Sequence, residues 1–124
     1  MEIIRRDQVP VLAMPGIASH QLLFPENSAS TRVTLTKVVV DPGAVNARHQ
    51  HASSEQVWVA LRGAGILLLA NDTTAPFSAG DVARFAEGDV HGFQNTGTVP
   101  FEYLAVTSPP INFRGAYAAA KAAK

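Results

Sequence analysis

The chain contains no cysteine, which excludes disulfides, thiolate-bound zinc and a cysteine nucleophile together. It carries no excess of charge: ten Lys and Arg balance ten Asp and Glu. Nucleic acids and membrane surfaces call for a basic footprint, so neither partner is expected. Long apolar runs are missing as well. None exceeds the five residues of 66–70, far too few to cross a bilayer. Met1 to Asp7 has no apolar core and no signal-peptide shape. These absences predict a cytoplasmic protein. Its 124 residues suit one domain, 1–124, with a core that needs no covalent staples.

Helical periodicity is also absent before residue 115, whereas β-branched residues and turn formers recur throughout. Strands are predicted at 2–11, 19–24, 31–40, 45–51, 56–61, 66–70, 82–85, 90–94 and 101–107. Between them stand turn signals such as Met14-Pro15-Gly16, Asp41-Pro42-Gly43 and Glu87-Gly88-Asp89. Short strands at this spacing argue for an all-β barrel or sandwich. Residues 116–124, rich in Ala and Lys, form a short C-terminal helix or a frayed tail.

The most informative stretch is Gly43 to Gly63. His49 and His51 stand two apart, so on a strand both imidazoles leave one face. An Ala-Ser-Ser turn then brings in Glu55 and Gln56. Two same-face histidines with an oxygen donor from the next strand are the donor set that a transition metal takes.

This stretch resembles the first motif of the cupins: Gly, five residues, His-x-His, three or four residues, Glu, six residues, Gly. The second cupin motif resembles residues 80–95, with Gly80, Gly88, His91 and Asn95 in register and Ala86 in place of the usual proline. The resemblance to a small, RmlC-like cupin implies an all-β jelly-roll barrel with one divalent metal inside. His49, His51 and His91 would be ligands. The fourth ligand departs from the pattern. Six intervening residues back from Gly63, or four forward from His51, lead to Gln56, while three forward from His51 lead to Glu55. Gln56 is the expected fourth ligand, and Glu55 is the alternative, as ligand, general base or surface residue.

Inward-pointing Gln56 implies inward Trp58, and Phe93 shares the parity of His91. Both are expected as substrate-binding cavity wall or as core. Glu55, Tyr103 and Glu102 are the nearby acid–base candidates. His20, with no ligand-spaced partner, is read as a surface or hydrogen-bonded residue.

Three His and one Gln are all neutral, so the cation would keep its full double charge. These ligands suit Fe, Mn, Ni, Co, Cu and Zn alike. The favoured function is a metal-dependent enzyme on a small oxygenated organic molecule, of dioxygenase type. The alternatives are a metal-dependent isomerase, cyclase or lyase, or a non-catalytic ligand-binding barrel. A homodimer is expected, with the 2–11 strand covering a sheet edge of the second subunit.

Overall fold

In a computed structural model, described over residues 1–122, the chain folds into two antiparallel sheets that face each other. Ten strands build them: β1 (Val11–Met14), β2 (Ile17–Leu23), β3 (Thr34–Val40), β4 (Val45–His49), β5 (Glu55–Arg62), β6 (Ala64–Leu69), β7 (Thr74–Ser78), β8 (Val82–Phe85), β9 (His91–Gln94) and β10 (Phe101–Ser108). One sheet runs β1-β2-β3-β10-β5-β8 and the other β4-β9-β6-β7. This is the expected all-β jelly roll.

Alternation of side chains explains why the sheets close on each other. β3 reads Thr-Leu-Thr-Lys-Val-Val-Val, with every second residue buried, and β2 and β10 repeat that pattern along most of their length. One face of each strand therefore goes to the interior, which only a second sheet can cover. Between β5 and β6 the chain turns at Gly63, whose φ of 88° suits glycine, and a Cβ there would press on Phe101.

The interior is divided. At one end Phe93 stacks on Phe101 at 4.0 Å, with Phe77 packed against both. At the other end Trp58 stacks on Tyr103 at 4.2 Å and borders the histidines. The first end is core and the second is the wall of the site.

Three expectations need correction. Residues 2–10 are not strand: Arg6–Gln8 makes a single 3-10 turn, and the strand begins at Val11. Ahead of it the Glu2 carboxylate accepts from Ser28 Oγ and Ala29 N, both at 2.8 Å. β7 went unpredicted because Pro76 lies inside it. β7 is the edge of its sheet, where a missing N–H costs no ladder bond. The C-terminal helix α1 spans Arg114–Ala122, starting earlier than composition suggested; residues 123–124 lie outside the described residues. No helix among the described residues is long and apolar enough to cross a membrane.

Candidate metal centre

His49 and His91 face each other across the β4–β9 pair. Between the pairs Asn46–Phe93 and His49–His91, β4 advances three residues while β9 advances two. The extra residue is a bulge that re-aims His49 inward. It also explains Gly92, since a Cβ there would stand 2.6 Å from the Asn46 carbonyl oxygen. His51 lies beyond the end of β4, so the turn before β5, rather than strand alternation alone, brings it back. The three rings converge, with centroids 4.4 Å apart for His49–His91, 5.1 Å for His49–His51 and 5.2 Å for His51–His91. One nitrogen from each lies within 4.8 Å of the others.

Hydrogen bonding fixes which nitrogens these are. His49 Nδ1 donates to the Ala47 carbonyl at 2.8 Å, and His91 Nδ1 to the Asp89 carbonyl at 2.9 Å. Each Nε2 therefore keeps a bare lone pair, the arrangement metal-bound histidines use. His51 Nε2 is buried with no hydrogen-bond partner. Such an orphan is costly unless a proton or a cation meets it. The three-histidine group fits a divalent transition metal, and neutral imidazoles suit that class.

Gln56 is buried beside this group, with Oε1 3.0 Å from His91 Nε2. Its amide orientation is set by neighbours: Trp58 Nε1 donates to Oε1 at 2.8 Å, and Gln56 Nε2 donates to Thr107 Oγ1 at 2.8 Å. With neutral His91 the short Oε1–Nε2 contact joins two acceptors. A shared cation satisfies both, and so does a proton on His91. Glu55 points the other way, 51% exposed and 3.5 Å from Arg84 Nη1.

Burial pushes the pKa of His49 and His51 below the ordinary imidazole value, and the His49 charge lowers His51 further. For His91 burial outweighs the helpful Asp89 carbonyl, and the value falls to about 4. All three are neutral at pH 7. The unfolded chain, with imidazoles near 6.5, binds more protons than the native chain between those values. Stability of the metal-free protein is therefore full above pH 6.5 and is lost as pH falls through 4. The His91 share is roughly 3 kcal/mol. Urea unfolding at pH 7 and pH 4.5 is expected to show a lower midpoint in acid, and a flat profile would contradict it.

The histidines open into a cavity of about 360 Å³. Trp58 and Tyr103 line it. Phe93 does not line it: fully buried against Phe101 and Phe77, it belongs to the core end. Of the acid–base candidates, Glu102 is outside in ion pairs with Lys37 (3.2 Å) and Arg62 (3.6 Å). Tyr103 is inside, and burial holds its phenol protonated far above the ordinary value. His20 sits on the outer face of β2 beside Lys37. Asn95 does more than turn the chain: buried, it donates to the Val40 and Val99 carbonyls and accepts from Gly97 N, all at 2.9 Å.

Residue-level reading of the sequence missed Asn46, Phe113 and Tyr117 on the cavity wall. Phe113 and Tyr117 did leave a signal. They are the aromatics of an Ala-rich segment, four apart, hence on one helical face.

The cupin-domain family model matches residues 36–107. An uncharacterized protein of Methanocaldococcus jannaschii is 27% identical over 103 residues, 83% of this chain and 82% of that protein. The oxalate-binding protein of Thermotoga maritima is 31% identical over 70 residues, 56% of this chain and 57% of its own. Among solved structures, KdgF from a Halomonas species superposes with a TM-score of 0.74 at 21% identity, covering 89% of this chain and 96% of that one. Two antiparallel sheets, three convergent histidines and a match over most of the barrel agree: the chain belongs to the cupin family.

Proposed function

We propose that this cupin is a metal-dependent enzyme acting on a small oxygen-bearing organic molecule, with dioxygenase-type oxidation favoured. One observation carries the reading. Three neutral histidines with bare ring nitrogens converge on the lining of a cavity large enough for such a molecule. His49, His51, Gln56 and His91 would hold the cation. Four protein ligands leave one or two positions open, where the metal would polarise a substrate oxygen or admit O₂. The chain's own residues do the rest. Trp58 gives a flat apolar wall, the buried walls exclude water, and Tyr103 holds a proton on its phenolic oxygen.

That proton favours the second reading, non-redox isomerisation, cyclisation or lyase chemistry, in which Tyr103 would donate to a developing oxyanion. O₂ consumption across catechols, flavonols and diketones separates the two. Metal-loaded protein that consumes O₂ with one of these classes supports the favoured reading. Bound metal without O₂ use moves the assignment to the second. Absence of stoichiometric metal removes both and leaves a ligand-binding barrel.

The protein would act as a cytoplasmic homodimer. Leu61, Val82 and Val106, exposed on the outer face of β5, β8 and β10, offer apolar surface for it. A monomer in sedimentation at micromolar concentration would remove the dimer.

A further inference from the structure

Helix α1 follows the barrel and lies outside the segment matched by the family model. It returns to the mouth of the cavity, where Phe113, Ala116 and Tyr117 form part of the lining. Phe113 immediately precedes the helix, and its carbonyl accepts from Tyr117 N at 3.0 Å, so the three positions share one side of the first turn. The Phe113 ring meets His51 edge-on at 5.9 Å. The start of the helix is clamped to the loop after β2: Asn112 Nδ2 and Arg114 Nε both donate to Glu26 Oε2, at 2.8 and 2.9 Å. The Arg114 guanidinium also lies 5.6 Å from the centre of the Phe24 ring.

The chemistry on this side of the cavity differs from that at the histidines. The Tyr117 phenol faces the Ser19 hydroxyl and is close enough to Tyr103 to oppose its ionisation. Tyr103 oxygen accepts from Asn46 Nδ2 at 3.3 Å, which leaves its O–H free to donate. Both phenols line the cavity, and burial keeps both protonated. Among the described residues, Arg48 is the one Arg or Lys in the lining, and its guanidinium is spent on the Leu69 and Thr73 carbonyls at 2.8 and 3.3 Å. Donors without a cation select an uncharged acceptor oxygen over a carboxylate. Trp58, stacked on Tyr103, sets a flat surface between the two ends.

We propose that α1 is the specificity wall of the cavity, with Tyr117 and Tyr103 binding an uncharged acceptor oxygen at one end of a small flat ligand whose other oxygens face the histidines. The part facing the histidines rests on the metal-site reading above.

The test compares two probes on the full-length, cobalt-loaded protein by visible titration. 4-Nitrocatechol carries acceptor oxygens opposite its diol, and catechol lacks them. Tyr117→Phe is expected to weaken 4-nitrocatechol about tenfold, the loss of one good hydrogen bond, and catechol less than about twofold. An equal change for both probes, no change, or failure of the loaded wild type to bind 4-nitrocatechol would overturn the proposal. Failure of the metal reading shows separately, as wild type that takes up no stoichiometric cobalt. In that event the wall is tested on metal-free protein through Trp58, the single tryptophan. Phe113→Ala should raise its acrylamide quenching constant about threefold or more with the far-ultraviolet spectrum unchanged, by loosening the cover over the cavity. Unchanged quenching would overturn the proposal there.

Discussion

Gln56→Ala is expected to weaken binding of a divalent cation by about tenfold to a hundredfold, while Glu55→Ala changes it by less than about twofold. The contrast follows from where the two side chains point. Gln56 Oε1 lies 3.0 Å from His91 Nε2 and is held there by the Trp58 indole and by the anchoring of its own amide to Thr107. Glu55 faces solvent and Arg84. Gln56→Ala also leaves the buried Trp58 Nε1–H without its acceptor, which costs about 1–3 kcal/mol of stability. Competition with a chromophoric chelator measures the affinity. A larger loss in Glu55→Ala than in Gln56→Ala would take Gln56 out of the ligand set.

His91→Ala should lower cation affinity by at least about a hundredfold, since a side chain that would bind the cation directly counts for more than those that only orient it. A cavity where the ring stacked on Phe85 at 4.2 Å should also cost about 2–4 kcal/mol at pH 7. The more telling readout is the pH profile of the metal-free variant. His91 has the deepest-lying pKa of the three, so removing it should flatten much of the stability loss between pH 6.5 and 4. A variant that keeps both the wild-type metal affinity and the wild-type acid sensitivity would contradict the role given to this side chain.

Much of the barrel was legible because alternation and turn chemistry are local properties. β3 and β8 follow from their own residues and the Gly-rich turns beside them. β7 was not legible, because Pro76 reads as a strand breaker unless the strand is known to be an edge, and edges are a property of the whole sheet. The side of β5 that Gln56 occupies was legible once Gly63 served as the anchor. The β4 bulge was hidden, as a bulge is a relation between two strands, and only Gly92 hinted at it. Parity placed Phe93 inside but could not divide inside into core and cavity. That division depends on Phe77 and Phe101, which come from distant parts of the chain. Tyr117 was the harder miss. A helix that docks over a barrel mouth is decided by tertiary contacts, here the Glu26 clamp 86 and 88 residues from its partners.

His49, His51 and His91 are expected to bind one divalent metal together. Elemental analysis of the purified full-length protein, dialysed after exposure to divalent Mn, Fe, Co, Ni, Cu and Zn in turn, tests it most directly. About one equivalent of at least one metal per chain is expected, and none in a folded variant with all three histidines changed to alanine. Folded wild type that retains no stoichiometric metal, or a triple variant that retains as much as wild type, would contradict it.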